Sequence, residues 1–257
     1  AVEPLAVRMR PRRLDEYVGQ EHILGEDKLL RRMLEADRIT SLIFYGPPGT
    51  GKTALAELIA VHSRSHFERA NAAAVGVKEI RQVLEAARQR LADDQHRTIL
   101  FLDEIHRFNR AQQDVLLGDV ERGIVTLIGA TTENPFFAIN SPLVSRSQIF
   151  QFEPLGETEI TTILQRALAN EKHGYGTLHI RITDEAIAHW ATICDGDARR
   201  ALTALEIAVL SAGDCHSPSV LRAESEDAGD AGQIVIDLEV AEQSIQRKAL
   251  VYDVTGD

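Results

Sequence analysis

Eight consecutive residues have the types and spacing that are suited to holding a chain of phosphates. They are Gly46, Pro47, Pro48, Gly49, Thr50, Gly51, Lys52 and Thr53, and they fit the pattern G-x-x-x-x-G-K-[ST]. In such a loop the glycines let successive backbone N–H groups converge on the phosphates, and the following helix adds the positive end of its dipole. The lysine reaches the β- and γ-phosphates and the threonine hydroxyl binds Mg²⁺. The pattern predicts these roles for Lys52 and Thr53.

The residues on either side of the loop favour phosphate binding over a glycine-rich turn that binds nothing. Ser41–Tyr45 is apolar and predicts a short buried strand. Residues 54–60 are almost all good helix formers. Strand, loop and helix form the context in which this pattern binds phosphate, so we expect the chain to bind a nucleoside triphosphate together with Mg²⁺.

A second apolar stretch, Thr98–Leu102, ends in two acids, Asp103 and Glu104. A carboxylate at the carboxyl end of a central parallel strand lies where open α/β sheets bind their ligands. We expect Asp103 to hold Mg²⁺ and Glu104 to orient and polarise the attacking water. The two roles need separate carboxylates, because an acid that ligates the ion is a poor base. The alternative is a pair of acids that only cap the strand at the surface, which the loop upstream disfavours.

Alternating strand-like and helix-like stretches surround these residues. The expected strands are Leu42–Tyr45, His66–Asn71, Thr98–Asp103, Val125–Thr131 and Gln148–Phe152. Helical patterns lie between them, notably at Val77–Leu91 and from about Arg110 to Val120. Near-continuous apolar runs are typical of parallel strands that are buried on both faces. The sequence therefore predicts the α/β class, with a three-layer parallel sheet and right-handed crossovers.

After Pro154 the pattern is helical, at Glu157–Lys172, Asp184–Cys194 and Ala198–Ala212. We therefore expect an α/β domain at residues 1–154 and a small all-helical domain at 155–257. Residues 213–232 are rich in Gly, Ser, Asp and Pro, which predicts a mobile insertion. Glu239–Leu250 is expected to be helical. The chain is expected to be a piece of a longer protein.

Composition limits the class of protein. Among 257 residues the net charge is −11, which argues against a basic nucleic-acid coat but leaves room for a local basic surface. No apolar run is long enough for a bilayer, so no membrane partner is expected.

Cys194 and Cys215 are far apart and the histidines show no metal-type spacing. Reduced thiols indicate a cytoplasmic protein. His106 and Arg107 could face DNA or a neighbouring subunit, or lie in a solvated loop.

These features together resemble an AAA+ ATPase, in which a P-loop α/β domain is followed by a helical lid. The segment 129–135 resembles sensor 1 of that superfamily, which implies that Thr132 contacts the γ-phosphate or the water. The triplet 145–147 resembles the Ser-Arg-Cys box of clamp loaders, with Ser147 in place of the cysteine. This implies that Arg146 is an arginine finger for the ATP of a neighbouring subunit.

Three further roles follow from the same resemblance. The segment 196–202 resembles the sensor 2 helix and implies that Arg199 reaches the nucleotide. Asn71 occupies the position of a polar switch that restrains the catalytic glutamate, although a strand-end cap explains it equally well. The segments 8–11 and 17–20 look like the stretch that wraps the adenine, which implies contacts from Arg8, Val18 and Gly19.

Within AAA+ proteins, Phe108–Asp114 followed by Leu127–Pro135 is similar to the RarA/MgsA family. This implies ATP hydrolysis coupled to DNA remodelling at stalled replication forks by a ring-like self-oligomer. The implied partners are single-stranded or forked DNA and a single-strand-binding protein or replisome component, in a bacterial, nucleoid-associated setting. The resemblance also implies a C-terminal oligomerisation domain, which we expect to lie outside these 257 residues.

Other functions remain open at this point. One is a nucleotide-gated, clamp-loader-like adaptor, although the lysine, both acids and the finger are all present. Another is a subunit of a Holliday-junction motor. A small-molecule P-loop kinase would need an acceptor-binding lid, and the sensor and finger segments disfavour it.

Overall fold

The computed structural model describes residues 3–94, 96–214 and 233–245. They divide into two compact units, one at Pro11–Pro154 and one that combines Ala1–Arg10 with Leu155–Asp257. The second unit includes an N-terminal helix, α1 (Leu5–Arg8). Most of the predicted insertion at 213–232, Cys215 and the end of the predicted helix at 239–250 lie outside the described residues.

A five-stranded parallel sheet forms the centre of the Pro11–Pro154 unit. Its strands are β1 (Leu42–Tyr45), β2 (His66–Asn71), β3 (Thr98–Asp103), β4 (Val125–Thr131) and β5 (Gln148–Gln151), in the order β2-β3-β4-β1-β5. The predicted α/β class and all five strands are confirmed. Only the end of β5 differs, by one residue.

Helices cover both faces of this sheet. They are α2 (Glu21–Leu24), α3 (Leu29–Glu35), α4 (Lys52–His62), α5 (Val77–Asp94), α6 (Arg110–Glu121), α7 (Pro135–Ala138) and α8 (Ser141–Val144). One apolar cluster joins Phe44 and Phe101 to Leu55 of α4. A second, on the opposite face, joins Leu100 to Leu84 of α5. Because the strands are buried on both faces, their apolar residues are near-continuous, as the sequence shows.

The strand order brings the ends of three strands to one edge. Strand β4 lies between β1 and β3, and all three run parallel. The chain therefore leaves β1 at Tyr45, β3 at Asp103 and β4 at Thr131 on the same side of the sheet. This is the side on which open α/β sheets bind ligands.

The second unit is mostly helical. It contains α1, α9 (Glu157–Ala169), α10 (Asp184–Ile193), α11 (Ala198–Asp214) and a helical segment at 238–245. Trp190 lies at its centre, where its indole N–H donates to the Ala241 carbonyl at 3.1 Å. Throughout the described ranges, no helix combines the length and apolar character that spanning a membrane requires.

Two features of this unit correct the sequence prediction. It is not all helical, because β6 (Ile180–Ile182) and β7 (Ile234–Ile236) pair in parallel. Each strand has only three residues, too few to show an alternating pattern, and the partners are far apart in the sequence.

The second correction concerns residues 1–10, which were expected in the α/β domain. Leu5 is fully buried in the helical core, and its backbone N–H donates to Glu206 Oε1 at 3.0 Å. The chain therefore begins in one unit, forms the other, and returns near Leu155. A helix of four residues carries too little pattern to reveal this from sequence.

Candidate nucleotide-binding site

The loop between β1 and α4 has a backbone path that requires glycine. Gly46, Gly49 and Gly51 all have positive φ, at 148°, 71° and 96°. A Cβ placed on Gly46 would collide with the carbonyl oxygen of Phe152, and one on Gly51 would collide with the Tyr17 hydroxyl. The glycines thus allow close packing as well as unusual dihedral angles.

The first turn of α4 is open to an anion. Gly51 occupies the cap position and, lacking a side chain, cannot cap the helix. The first N–H groups of a helix have no partner within the helix, and the dipole makes this end positive. A phosphate at this position would accept from these groups, so the loop fits the predicted nucleotide.

Lys52 begins α4, and its side chain folds back over the loop. The residue is only 9% exposed, and its Nζ donates to the Gly46 carbonyl at 2.8 Å and to the Pro47 carbonyl at 2.5 Å. A buried ammonium needs hydrogen-bond acceptors, and a phosphate oxygen is a stronger acceptor than a neutral carbonyl. The ammonium is therefore held in the loop where an anionic ligand would attract it.

Gln20 fixes the rear of the loop. This residue is 4% exposed; its amide donates to the Glu153 carbonyl at 2.8 Å and accepts from the Glu153 N–H at 3.0 Å. The same amide and the Tyr17 hydroxyl each donate to the Thr50 carbonyl at 3.4 Å. Residues 17–20 thus pack against the phosphate loop. Adenine contact by Val18 and Gly19 stays a prediction.

Arg8, the third residue expected at the adenine, lies in the helical unit. Its guanidinium donates to the His173 carbonyl at 2.9 Å and lies over the Tyr175 ring, 5.6 Å from the centroid. Burial of the phenol raises the pKa of Tyr175; Glu206 raises it further, and Arg8 opposes both. Arg8 therefore has a structural role in its own unit, and its predicted contact with adenine is untested.

The two predicted acids lie at the ligand edge of the sheet. Asp103 ends β3, accepts from the Glu104 N–H at 3.2 Å, and lies 3.6 Å from the Arg69 guanidinium. Glu104 has φ of 54°, a left-handed conformation that costs a residue with a side chain about 1–3 kcal/mol. Such strain is often found at functional sites, and here it turns the chain sharply out of the strand.

The buried position of His106 was not predicted from the sequence. It was expected to face DNA, a neighbouring subunit or solvent, yet its imidazole is only 5% exposed. Its Nδ1 lies 2.9 Å from Thr131 Oγ1, and its Nε2 lies 3.2 Å from Glu104 Oε2 and 3.7 Å from Glu133 Oε1. A short 3-10 turn at Ile105–Arg107 folds the ring back toward the sheet edge. A lone histidine outside any metal spacing gave no signal for this.

The two threonines at the end of β4 have different environments. Thr131 is buried, and its hydroxyl accepts from the Glu133 N–H at 3.0 Å in addition to contacting His106. Thr132 is exposed and follows the strand directly. The sensor role predicted for Thr132 stays a prediction, and Thr131 is the residue that joins the turn to the imidazole.

Asn71 ends β2 directly beside Asp103 in the strand register. It is exposed, and its side-chain oxygen accepts from the Ala73 N–H at 2.8 Å. This hydrogen bond is the one expected of a strand-end cap. The alternative role, restraint of Glu104, stays a prediction.

The two predicted arginines lie in different units. Arg146 follows α8, and its guanidinium donates to Glu121 at 2.8 Å and to the Pro142 carbonyl at 2.9 Å. Its side chain is exposed, as a residue directed at another subunit would be. Arg199 is exposed on α11 in the helical unit, so its contact with nucleotide stays a prediction.

The side chains at this sheet edge suit a Mg²⁺ ion that takes most of its ligands from nucleotide phosphate and water. Within residues 3–94, 96–214 and 233–245, no group of three or more His, Cys, Asp or Glu side chains could hold a metal. Mg²⁺ keeps several waters and takes phosphate oxygens, so a hydroxyl and one carboxylate are enough. Thr53 at the start of α4 and Asp103 at the end of β3 fit these two positions.

Two family profiles match the chain in the order of its units. The ATPase family associated with various cellular activities (AAA) matches residues 42–155. The AAA C-terminal domain matches residues 176–257. The first match covers the phosphate loop, both acids and the predicted finger.

Curated relatives narrow the assignment. Replication-associated recombination protein A of Bacillus subtilis is 43% identical over 100% of this chain and 56% of the relative. The protein of the same name from Escherichia coli K12 is 42% identical over 99% of this chain and 54% of the relative. The chain belongs to the RarA family of AAA+ ATPases. It spans about half the length of these relatives.

More distant matches support the AAA+ fold. ATPase WRNIP1 of Dictyostelium discoideum is 38% identical over 99% of this chain and 29% of the relative. A solved structure, the Thermotoga maritima RuvB Holliday junction branch migration motor, superposes with a TM-score of 0.69 at 24% identity. The superposition covers 93% of this AAA+ chain and 73% of that one, and at this identity it supports the fold alone.

Proposed function

We propose that this chain is the ATP-hydrolysing core of a RarA-type protein that acts in replication-associated recombination. The observation that carries the proposal is the meeting, at one sheet edge, of the glycine loop after β1 and the two acids after β3. Similarity to replication-associated recombination protein A supports the biological setting.

Binding would use the loop and the first turn of α4. Its N–H groups and the Lys52 ammonium would donate to oxygens of the β- and γ-phosphates, which would replace loop carbonyls as acceptors for the lysine. Thr53 and Asp103 would hold Mg²⁺, whose positive charge would stabilise the phosphate oxygens when it is bound. The buried sheet below keeps these groups in fixed positions.

Hydrolysis would use Glu104 as the group that orients the water. The left-handed backbone conformation of Glu104 begins the turn by which the chain leaves β3, directly after Asp103. The two carboxylates can then serve metal and water separately, as the chemistry requires. Thr132, which directly follows β4, is the proposed contact for the water or the γ-phosphate.

Full activity would need a second copy of the chain. Arg146 is exposed and could reach the ATP of a neighbouring subunit. An arginine finger supplied in trans contributes about 10³–10⁵ in rate. We therefore expect slow turnover by an isolated subunit and faster turnover per subunit as protein concentration rises.

The proposed substrate is DNA at stalled forks, with single-stranded or forked DNA as the partner. The net charge of −11 argues against binding through a broad basic surface, so contact with DNA should be local. A single-strand-binding protein or replisome component is a further proposed partner. Nucleoid association follows from this setting.

Glu104→Gln tests the hydrolysis proposal. The variant should bind ATP with unchanged affinity, because the amide has the same shape, and turnover should fall about 100-fold or more. Glu35→Gln is the matched control, since Glu35 is exposed on α3 and pairs with Arg31. Steady-state phosphate release and calorimetry with ATP and Mg²⁺ provide the two readouts. Turnover by Glu104→Gln equal to that of the control would remove Glu104 from the mechanism.

The DNA proposal needs its own comparison. ATPase rates are measured with single strands, forks, blunt duplexes and four-way junctions of matched length. Forks or single strands should stimulate turnover most. Strongest stimulation by four-way junctions would favour a Holliday-junction motor, and ATP binding without turnover on any DNA would favour an adaptor.

A further inference from the structure

We propose that His106 is a positioning residue for Glu104: its imidazole holds the glutamate carboxylate and ties it to the end of β4. The inference rests on the proposed function, because it concerns how the water-orienting group of that site is placed. It assigns to His106 the restraint that family resemblance would give to Asn71.

The first support is the geometry of the imidazole. His106 has one ring nitrogen against each of two different elements, Thr131 at the end of β4 and Glu104 after β3. The ring is almost completely enclosed, so its position is fixed by its surroundings. A group held in this way can orient a more mobile partner.

The second support is the polarity of the groups that face the imidazole. A carboxylate only accepts, so the Nε2 of His106, which lies 3.2 Å from Glu104 Oε2, attracts the carboxylate when it carries a proton. In a neutral imidazole Nδ1 then accepts. The Thr131 hydroxyl, which receives the Glu133 N–H, lies 2.9 Å from Nδ1 and 3.4 Å from the Glu133 carbonyl, so the nearer acceptor of its proton is the imidazole. The contacts therefore run from Thr131 through His106 to Glu104.

The third support is the freedom that Glu104 would otherwise have. Its side chain is 34% exposed, and the residue lies between the end of β3 and the 3-10 turn, outside both elements. A long exposed side chain populates several rotamers, and a base must be within about 3 Å of its water to act. The contact of the carboxylate with the enclosed His106 imidazole at 3.2 Å favours one set of these rotamers. Asn71, in contrast, directs its side-chain oxygen at the Ala73 N–H.

A consequence is that the base and the sensor segment form one connected unit. Thr131 is the last residue of β4 and directly precedes Thr132. A shift of this turn when the γ-phosphate is bound or released would be passed to Glu104 through one imidazole. Glu133, 3.7 Å from the same nitrogen, is a competing acceptor in the same turn.

Three substitutions of His106 separate positioning from packing. His106→Ala removes the ring, His106→Phe keeps a ring without a donor, and His106→Gln places an amide N–H near the position of Nε2. We expect Ala and Phe to lower kcat about tenfold or more, with KM and the Kd for ATP changed by less than about threefold. Gln should restore kcat to within about threefold of the parent. The melting temperature of each variant is measured. If His106→Ala does not fold, the comparison of His106→Gln with His106→Phe tests the proposal.

The same substitution in the Glu104→Gln background shows whether His106 acts through the glutamate. If it does, His106→Ala should reduce the remaining turnover by less than about twofold, because effects on one unit are not additive. Any of three results would overturn the proposal. They are equal kcat for the His106→Gln and His106→Phe variants, a raised or unchanged kcat for His106→Ala, and a loss of kcat from His106→Ala that is as large in the Glu104→Gln background as in the parent. Failure of the proposed function would look different, since Glu104→Gln alone would then turn over normally.

Discussion

Replacement of Gly46 by alanine tests whether the shape of the phosphate loop is dictated by the contacts described above. The backbone at Gly46 and the backbone at Phe152, which the added methyl group would contact, are both held by hydrogen bonds of the sheet. The Gly46 N–H donates to the Thr131 carbonyl at 3.1 Å, and the Phe152 N–H donates to the Tyr45 carbonyl at 2.7 Å. The Cβ would meet the Phe152 carbonyl oxygen at less than contact distance and its Cβ at 3.0 Å. Neither neighbour can move without breaking a sheet hydrogen bond.

Two contributions determine how much stability Gly46→Ala should lose. A side chain at φ of 148° costs about 1–3 kcal/mol, and overpacking against a fixed neighbour costs about 1–3 kcal/mol more. The sum, about 2–6 kcal/mol, is a large part of the stability of an ordinary domain, about 5–15 kcal/mol. We expect the loop to shift, with loss of both stability and ATP affinity.

Gly123→Ala is the control for the conformational term. Gly123 also has positive φ, at 69°, but a Cβ there would have no neighbour within 4 Å. It should lose only about 1–2 kcal/mol and keep full ATP affinity. Urea unfolding and calorimetric titration with ATP and Mg²⁺ measure both quantities. Equal losses of stability for the two variants, with equal ATP affinity, would refute the proposed packing of the loop.

Three further outcomes are expected. Gln20→Ala leaves both backbone groups of Glu153 without their amide partner, so the free energy of unfolding should fall by about 1–3 kcal/mol in urea titrations; no change would contradict the role of this amide. Glu121→Gln removes an exposed ion pair of Arg146, so the free energy of unfolding should change by less than about 1 kcal/mol and the Kd for ATP should not change. A larger change in either quantity would mean that the ion pair does more than orient Arg146. The pKa of the Tyr175 phenol is raised by folding, so the phenol should ionise above pH 10 in an ultraviolet titration. It therefore contributes stability that is complete below the ordinary pKa and is lost as the pH rises through the folded pKa. Ionisation at or below the ordinary pKa would contradict its burial.

The sheet and the phosphate loop were predictable because their signals are local. Buried parallel strands show as short apolar runs, and each run in this chain is followed by a helix. The loop pattern also fixes its own context, since β1 must precede it and α4 must follow. The acids after β3 could be placed beside it because parallel strands end at one edge.

The features that the sequence did not reveal depend on contacts between distant residues. The pairing of β6 with β7 joins residues more than 50 positions apart in two strands of three residues. The burial of Leu5 depends on a core formed by residues beyond Leu155. His106 has no distinguishing neighbours in the sequence, and only the turn after β3 shows which groups its ring contacts.

The contribution of α1 to the helical core means that this unit is discontinuous in the polypeptide, with the whole P-loop unit as an insertion. The backbone therefore passes between the units twice, and a single proteolytic cut after Pro154 would leave the two products covalently linked through residues 10 and 11. A shortened gene product starting at Leu155 would lack Leu5 and the N–H that Glu206 accepts, and would begin with a void in its interior. Dissection of this protein into separately folding parts requires fusing residues 1–10 back onto the C-terminal portion.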